Sequence, residues 1–574
     1  MTVSAQSVCI DSRRGAPKVA SAGKLVSDLL AELDVTCVFG VIGSSTMEVF
    51  DGLHSNPNVR YIGARDERAA TGMADGFARA SGSLGVVLAG QSGPGVTNLV
   101  SGLAAAKAAR TPLLSIGGSV STDQWQNDAF QEVDQEALLR PVAKAVFTVL
   151  KPERVVPTIA YAARLAMSHP KGPVHVNLPR DVLMGEAPAA ATATELQSSN
   201  PTHRDAVEQL VRLIDSAERP VVVAGGGVKS SRSGGLVERL SDLCHIPIVT
   251  SAGHRDAVNN DHPLMLGQMG PRGGRLAAEV VAESDLVIGI GTRFGFNSTF
   301  FEPGTFHQDA RLVQVDVDSS ALNRYWPVEL AAMAEAGSFL VELISRVTES
   351  APSFSDETWF ASVQARAAEY RQERASIPET HDGAPMDDKT FFHAIRQSLP
   401  WDAIVSLDAG TWCLKASEEL DHRLTPSLFT PLDFASLGFA FPAAIGAQLA
   451  CPERPSVALL GDGGALYTIA ELSTVLEHDV PVTMIVMNNS AWGAEKAYQH
   501  DFYDKRYIGT DLPEHDFAAI AQSFGIKGLR ADSPHSLEVA IKEAFAERVP
   551  TVIDVRVNPE ILFSFRKDVF NKYK

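Results

Sequence analysis

The most constraining feature of this chain is the sequence Gly461-Asp462-Gly463, which is separated by 24 residues from Asn488-Asn489. An apolar segment precedes each group, so both are predicted to lie at the ends of β-strands, with a helix between them. The glycines allow backbone N–H groups at the start of that helix to approach phosphate oxygens, and the helix dipole favours an anion there. Asp462 offers a carboxylate oxygen and Asn489 an amide oxygen, which suit Mg²⁺ bound to a diphosphate.

A glycine turn with a capping aspartate occurs in many unrelated α/β proteins, so Gly-Asp-Gly alone is weak evidence. Together with the paired asparagines, the segment resembles the cofactor-anchoring segment of the thiamine diphosphate enzymes, and the resemblance extends over nearly the whole chain. It implies thiamine diphosphate and Mg²⁺ as cofactors. The metal ligands that it implies are Asp462, Asn489 and the backbone carbonyl of Ala491. The residues implied beneath the diphosphate are Gly463, Gly464 and Ala465.

The length of 574 residues exceeds what one hydrophobic core normally serves and predicts about three domains. Short β-branched strands alternate with helical patterns, which is typical of doubly wound parallel sheets covered on both faces. The predicted fold class is therefore α/β, with three doubly wound parallel-sheet domains. By resemblance these are a pyrimidine-binding domain at 1–187, a central Rossmann-like domain at 203–350 and a diphosphate-binding domain at 386–574. Polar, proline-containing segments separate them.

Charge and composition exclude several classes of partner. The net charge of −19 argues against nucleic acid and anionic membranes. The five cysteines are odd in number and lack CxxC spacing, which favours buried thiols in a reducing compartment. No run of about 18 apolar residues predicts a membrane span. The N-terminus contains Asp11, Arg13 and Arg14 and lacks the apolar run of a signal peptide, so we expect a cytoplasmic protein.

Glu67 follows a predicted strand and begins a helix rich in Ala and Gly. A glutamate in this position can simply complement the helix dipole. The thiamine diphosphate enzymes, however, place a glutamate at this point of the first domain, where its carboxyl group hydrogen-bonds the aminopyrimidine ring and promotes removal of the thiazolium C2 proton. The resemblance thus implies that Glu67 is a general acid–base. In that family the glutamate and the metal site come from two subunits, which implies an obligate homodimer and makes a homotetramer plausible.

Two glutamines of the first domain also match positions that line the cofactor in this family. Gln91 lies in GQSGPGVTN, and Gln131 lies in AFQEVDQ, which resembles a segment of the acetolactate-synthase-like members. A glutamine amide can donate to a developing oxyanion without titrating. The alternative is that both amides only satisfy loop backbone groups.

The third domain contributes further positions by resemblance alone. Leu437 falls where the family places a bulky apolar residue that forces the cofactor into a bent conformation. The carbonyl of Ala435 would accept a hydrogen bond from the exocyclic nitrogen of the cofactor. The residues that would meet the diphosphate, in the sequence DAGTW, are Gly410, Thr411 and Trp412.

The central domain carries an incomplete dinucleotide fingerprint. Gly225 and Gly227 fit the first two positions of GxGxxG, but Ser230 occupies the third. Relatives hold FAD, an ADP group or nothing in this domain. We favour an empty, structural domain for this chain, with FAD or ADP as the alternative.

The segment after the metal residues bears on the substrate. Acetolactate synthases carry Gly-Met-Val there and then a tryptophan, whereas this chain has Gly-Ala-Glu and Tyr498. WGAEK, QxDFYxxR and the FRKD sequence at 565–568 instead resemble the sulfoacetaldehyde acetyltransferases. Lys496 could hold a sulfonate or phosphate, and Glu495 could move a proton; the alternative is an exposed helix turn that complements the dipole. We therefore expect an enzyme for a two-carbon aldehyde or keto acid, with sulfoacetaldehyde and phosphate giving acetyl phosphate and sulfite as the leading reaction.

Two other functional classes remain as alternatives. One is an acetolactate-synthase-like carboligase or a 2-hydroxyacyl-CoA lyase, with Glu495 as the proton shuttle. The other is a non-catalytic flavin- or nucleotide-binding relative. The presence of Glu67 together with a complete set of metal ligands argues against the non-catalytic class.

Overall fold

A computed structural model describes residues 19–188, 203–271, 273–350, 357–376 and 386–564. The polar N-terminus, most of the two predicted linkers and the FRKD sequence lie outside these residues. Three sheets of six parallel strands form three successive domains, here the first (19–188), central (203–350) and third (386–564) domains. The predicted α/β class with three parallel sheets is confirmed. None of the described helices is long and apolar enough to cross a membrane.

The first domain surrounds a sheet whose central strands are buried on both faces, as parallel sheets require. A short antiparallel pair, Val19–Ser21 with Glu186–Pro188, joins its two ends. Its strands, in sheet order, are Arg60–Gly63, Cys37–Val41, Gly85–Ala89, Leu113–Ser119, Val174–Pro179 and Ala145–Thr148. Its α-helices are Ala22–Glu32, Met47–His54, Glu67–Ser81, Pro94–Asn98, Val100–Ala108, Gln135–Leu139, Val155–Met167 and Arg180–Met184.

The central domain repeats this architecture, and a long helix, Glu357–Ala375, follows it. Its strands, in sheet order, are Met265–Gln268, Ile248–Thr250, Pro220–Ala224, Leu286–Ile290, Arg311–Asp316 and Leu330–Met333. Its α-helices are Arg204–Asp215, Gly226–Ser230, Gly234–Cys244, Arg275–Glu283, Phe296–Thr299 and Ala336–Ser350. No disulfide joins the cysteines of the described chain, and Cys37 and Cys244 are buried.

The third domain carries the glycine turn and the paired asparagines on adjacent strands of its sheet. The strands, in sheet order, are Leu428–Phe429, Ile404–Leu407, Ser456–Gly461, Thr483–Asn488, Thr551–Arg556 and Lys527–Ala531. The α-helices are Asp388–Ser398, Thr411–Glu419, Ala440–Ala450, Asp462–Leu466, Leu472–His478, Gly493–Phe502, Phe517–Ser523 and Pro534–Glu547.

The first and third domains pack through two helices, Glu67–Ser81 and Ala440–Ala450, whose backbones touch at glycines. A Cβ atom on Gly76 would lie 2.0 Å from the carbonyl oxygen of Ala443, and one on Gly446 would lie 1.8 Å from that of Met73. Neither position leaves room for a side chain. This close contact fixes the middle of the Glu67 helix relative to the third domain.

We expect Gly76→Val to lower the thermal unfolding midpoint, because the new side chain would force the two helices apart at a cost of about 1–3 kcal/mol. Gly235→Ala is the matched control, since a Cβ on this helical glycine meets nothing within 4 Å and Ala is the better helix former. Calorimetry of both variants would measure the difference. Equal midpoints would contradict a close-packed interface at Gly76.

Candidate functional site

Three neighbouring parallel strands of the third domain end at the same edge of its sheet. Ile404–Leu407 pairs with Ser456–Gly461, which pairs with Thr483–Asn488. The residues that come next along the chain are Asp408, Asp462 and Asn489. Ligands of open parallel sheets bind beyond this edge, so the topology brings the predicted metal residues to a site of the expected kind.

Asp462 and Asn489 differ in how far the protein satisfies their side-chain oxygen atoms. Asp462 begins a short helix, and its Oδ2 accepts from the N–H of Ala491 at 3.0 Å. Burial raises the pKa of Asp462 to about 6, although backbone N–H groups oppose this shift. The Oδ1 atom of Asn489 is buried and has no hydrogen-bond donor among the described residues. A buried acceptor left unpaired costs about 1–3 kcal/mol, which a bound cation would offset.

These donors fit Mg²⁺ better than a transition metal. No group of three or more His, Cys, Asp or Glu side chains in the described chain could hold a metal. A cation would instead rely on one carboxylate, the amide oxygen of Asn489 and the carbonyl of the buried Ala491, all hard oxygen ligands. Ser490, between the last two, has φ 52°, a left-handed conformation that turns the chain sharply there.

The glycine turn is packed too tightly for side chains. A Cβ on Gly463 would lie 2.4 Å from the ring of Trp492, and one on Gly464 would lie 3.2 Å from Cγ of Asp408. Ala465 is fully buried. Glycine is therefore required here by close approach, and the start of the Asp462 helix is fixed against both adjacent strand ends.

The turn at Gly410–Trp412, in contrast to the crowded turn at Gly463, has open space beside Gly410. Gly410 has φ 117°, and a Cβ there would meet nothing within 4 Å, so backbone conformation rather than crowding favours glycine. Thr411 is buried, and its Oγ1 has no hydrogen-bond partner in the described chain. Trp412 packs edge-on against Phe391, with ring centroids 5.3 Å apart. This geometry is compatible with a phosphate beside Gly410 and Thr411.

Asp408 was not predicted as a site residue from the sequence, although it lies just before the Gly410 turn. Its Oδ1 accepts from the N–H groups of Ala409 at 2.7 Å and Gly438 at 2.9 Å, and its Oδ2 accepts from Ala440 at 3.2 Å. Burial raises its pKa to about 6. The carboxyl group thereby joins the Gly410 turn to the loop that carries Ala435 and Leu437. The only sequence signal was its place at the end of a strand.

The loop before Gly438 holds both of its predicted cofactor contacts at accessible positions. Ala435 is exposed and has φ 57°, and its N–H donates to the carbonyl of Pro431 at 2.6 Å. Leu437 is half-buried. An alanine in a left-handed conformation is uncommon and orients its carbonyl in a way that an extended residue would not.

Glu67 lies at the start of its helix with Asp66 as the N-cap residue. Its side chain is buried, and Oε2 accepts from Nδ2 of Asn98 at 3.0 Å. Oε1 faces Gly95, where a Cβ would approach to 3.2 Å. Burial raises the pKa of Glu67, and the hydrogen bond from Asn98 opposes that shift. No hydrogen bond joins this carboxyl group to the third domain among the described residues.

The structure brings Gln91 and Gln131 together. Nε2 of Gln91 donates to Oε1 of Gln131, and Oε1 of Gln91 accepts from the N–H of Ser44 at 2.9 Å. Gln131 has φ 65°, and its carbonyl would lie 2.3 Å from a Cβ on Gly93. The two half-buried amides thus form one hydrogen-bonded pair across adjacent loops of the first domain.

The substrate segment forms the helix Gly493–Phe502, and Glu495 is exposed on it. Lys496 is already engaged, because its Nζ lies 2.7 Å from Oδ1 of Asp511 and 5.3 Å from the centroid of the Tyr507 ring. The chain returns antiparallel to the metal loop, where Ala491 and Asp511 form a bridge. An anion that bound Lys496 would have to compete with Asp511.

The glycine turn of the central domain is closed by its own neighbours. The N–H of Gly227 donates to the carbonyl of Gly291 at 2.9 Å, so this amide is not available to a phosphate. The ring of His254 covers the turn, since a Cβ on Gly226 would lie 2.8 Å from its Nε2. Protein atoms therefore occupy the space directly beside Gly226 and Gly227.

The carboxylates of the same domain are also occupied. Arg110 of the first domain pairs with Asp316 at 3.1 Å and with Asp318 at 2.7 Å. Asp316 ends the strand Arg311–Asp316, and Asp318 lies two residues beyond it. Both ion pairs join the central domain to the first domain.

Comparison with known proteins agrees with this architecture. Residues 20–138, 207–343 and 408–555 match the family models of the thiamine pyrophosphate enzymes for the N-terminal TPP binding domain, the central domain and the C-terminal TPP binding domain. A probable acetolactate synthase large subunit of Methanocaldococcus jannaschii is 32% identical, over 92% of this chain and 90% of that protein. A sulfoacetaldehyde acetyltransferase of Castellaniella defragrans is 30% identical, over 94% of this chain and 93% of that protein.

A solved structure shows the same fold. The thiamine diphosphate-dependent 4-hydroxybenzoylformate decarboxylase of Rhodococcus jostii RHA1 superposes with a TM-score of 0.82 and 27% sequence identity, covering 94% of this chain and 99% of that chain. All three domains are thus matched in order, in sequence and in structure. The chain belongs to the thiamine diphosphate-dependent enzyme family.

Proposed function

We propose that this enzyme binds thiamine diphosphate through Mg²⁺ at the edge of the third-domain sheet and acts on a small two-carbon aldehyde or keto acid. The buried, unpaired Oδ1 of Asn489 carries the metal part of the proposal, because no described donor reaches it and a bound cation would satisfy it. Asp462 and the carbonyl of Ala491 complete the protein ligands. Gly463, Gly464 and Ala465 would lie beneath the diphosphate, and Gly410 and Thr411 would flank it.

Thiamine diphosphate, when bound, supplies a thiazolium carbon acid that is a nucleophile towards a carbonyl group once its proton has been removed, and a ring that serves as an electron sink. Glu67 would hold and move a proton at the aminopyrimidine ring, and its burial keeps that proton at a higher pH than an exposed glutamate would. The Gln91–Gln131 pair could donate to an oxyanion. Asp408 would hold the Gly410 turn and the Leu437 loop at a fixed separation.

We further propose that the complete site forms between two copies of the chain. The carboxyl group of Glu67 is bonded within the first domain, whereas the metal residues lie in the third. Two apolar side chains near these predicted site residues are almost fully exposed, Phe130 at 82% and Ile508 at 81%. Large apolar side chains in contact with water on the two candidate faces support their burial at a subunit interface.

The leading substrate is sulfoacetaldehyde, with phosphate as the acyl acceptor. The acetolactate synthase and sulfoacetaldehyde acetyltransferase relatives are about equally similar to this chain, so the choice depends on the helix Gly493–Phe502. That helix begins two residues after Ala491 and presents an acid and a base, Glu495 and Lys496. Lys496 would exchange Asp511 for the sulfonate, and Glu495 would move a proton at the substrate.

Purified enzyme supplied with thiamine diphosphate, Mg²⁺, sulfoacetaldehyde and phosphate should release sulfite and form acetyl phosphate. Glu67→Gln should lower this rate by about 10²–10⁴-fold, since it removes the general acid–base. Sulfite is measured colorimetrically, and cofactor occupancy is verified in parallel. No sulfite at full occupancy would exclude this substrate, and consumption of pyruvate would point to the carboligase alternative.

We expect Asn489→Leu to weaken Mg²⁺-dependent binding of thiamine diphosphate by at least about tenfold. The same change should leave the apoprotein as stable as before or more stable, because it removes an unpaired buried acceptor. Asn488→Leu is the matched control: Nδ2 of Asn488 donates to Asp554 at 3.0 Å and to the carbonyl of His515 at 2.9 Å, so its loss should destabilise the apoprotein. Cofactor titration and thermal unfolding separate the two effects.

The opposite pattern, in which Asn489→Leu destabilises the apoprotein and retains metal affinity, would contradict a cation site at Asn489.

Because His254 and Gly291 fill the central glycine turn, we expect the purified enzyme to carry no flavin absorbance. Neither FAD nor ADP should raise its thermal midpoint, whereas thiamine diphosphate with Mg²⁺ should, since a ligand stabilises the fold it binds. Stoichiometric flavin in the purified enzyme, or a midpoint that rises with ADP, would show that this turn opens.

A further inference from the structure

We propose that Glu471, a buried carboxyl group of the third domain, is a positioning residue for Glu67. It holds the backbone of the loop that leads into the Glu67 helix. The inference rests on the proposed function in one respect, namely that Glu67 moves a proton at the cofactor. Glu471 itself touches neither the metal residues nor the Glu67 carboxyl group.

Three consecutive N–H groups just before Glu67 are anchored, two of them by side chains of the third domain. Gly63 N–H donates to Nε2 of His478 at 2.9 Å, and Ala64 N–H donates to the carbonyl of Gly40 at 2.8 Å. Arg65 N–H donates to Glu471, 3.0 Å from Oε1 and 3.3 Å from Oε2. The path of the chain from its strand into the helix is therefore set from outside its own domain.

Glu471 is an unusual residue to find at this place. Only 1% of it is exposed, and no lysine or arginine forms an ion pair with it in the described chain. Its other partner is the hydroxyl group of Thr474, 2.6 Å from Oε2 and also 3.1 Å from the carbonyl of Gly63. Burying a carboxyl group without an ion pair costs free energy of folding. The presence of Glu471 beside this loop therefore lowers the stability of the fold.

The surrounding contacts hold the same loop from both sides. The Arg65 guanidinium donates to the carbonyl of Gly63 at 2.8 Å and to Oγ of Ser473 at 2.9 Å. Arg68 donates to the carbonyl of Tyr467 at 2.9 Å and lies 5.1 Å from the centroid of its ring. Residues 63–68 thus contact the segment 467–478 at several points. That segment follows the Asp462 helix directly in the chain.

The position of Glu67 matters because proton transfer requires close approach, and a misplacement of about 1 Å can cost about 10²-fold in rate. The middle of the Glu67 helix is fixed by the contact at Gly76. The backbone of its first residue continues directly from the loop, and Glu471 is the third-domain side chain that bonds the loop backbone nearest to Glu67.

The test compares Glu471→Gln with Glu471→Leu. Glutamine keeps an acceptor for Arg65 N–H and turns the acceptor for the Thr474 hydroxyl into an amide donor to the same hydroxyl oxygen, whereas leucine keeps similar volume without either group. The matched control is Arg232→Ala, because Arg232 of the central domain donates to the carbonyls of Ala80 at 3.3 Å and Ser81 at 3.2 Å, at the other end of the same helix. A merely structural role for such interdomain contacts would affect both ends alike.

Two readouts do not need a substrate. The first is the rate of hydrogen–deuterium exchange at thiazolium C2 of the bound cofactor, followed by quenched-flow NMR, with its Kd measured by fluorescence. We expect Glu471→Leu to slow this exchange about 10–100-fold with an unchanged Kd, and Glu471→Gln and Arg232→Ala to stay near wild type. The second is amide exchange of residues 63–66 in the apoprotein, which should accelerate in Glu471→Leu only.

Wild-type C2 exchange in Glu471→Leu, an equal loss in Arg232→Ala, or an equal loss in Glu471→Gln would overturn the proposal. If Glu471→Leu does not fold, Thr474→Val provides the test, since removing the hydroxyl partner should also slow C2 exchange; an unchanged rate would then overturn it. The Glu67→Gln variant distinguishes a failure of this inference from a failure of the proposed function. Normal C2 exchange in Glu67→Gln would refute the proposed role of Glu67. Slow C2 exchange in Glu67→Gln together with normal C2 exchange in Glu471→Leu would refute only the positioning role of Glu471.

Discussion

The strands Ile404–Leu407, Ser456–Gly461 and Thr483–Asn488 run side by side in one direction, and the whole candidate site depends on this pairing. Residues that follow parallel strands emerge at one edge, so groups far apart in sequence become neighbours. Asp408, Asp462 and Asn489 are brought together in this way. Gly463 and Gly464, which follow Asp462, pack closely against Trp492 and Asp408, whereas Gly410 after Asp408 has open space beside it.

Burial of polar groups is the common cost of this arrangement, and the structure meets it in different ways. Asp408 is buried and stabilised by three backbone N–H groups, which makes it a structural clamp. Asn489 is buried with an oxygen that no described donor reaches, which leaves a cation as its natural partner. Glu471 has one amide and one hydroxyl group. Asp408 and Asn489, which follow strands of the same sheet, therefore differ in how completely the protein satisfies their buried oxygen atoms.

The sequence was informative where function depends on local pattern. The order of strands and helices predicted three parallel sheets, and the resemblance carried by the glycine turn and the paired asparagines identified the cofactor class. Asp408 and Glu471 could not be predicted in the same way, because their partners Gly438 and Arg65 lie 30 and 406 residues away. Lys496 was predicted as an anion-binding residue, but its ion pair with Asp511 depends on how the chain returns past the metal loop.

The incomplete fingerprint of the central domain shows what a local spacing pattern leaves open. Gly225 and Gly227 have the spacing of a nucleotide-binding turn, yet the carbonyl of Gly291 takes the N–H of Gly227. The spacing of glycines indicates which backbone conformations a turn can adopt. It does not indicate which atoms will pack against that turn. Only the tertiary structure shows that the partner here is the protein itself.

The glycine contact between the helices Glu67–Ser81 and Ala440–Ala450 has an evolutionary consequence. Because each backbone lies directly against the other, a homologue with a larger residue at either crossing point must differ on both sides at once. The first and third domains are therefore expected to be inherited as a matched pair. Chimaeras that exchange only one of them between relatives should fail more often than those that exchange both.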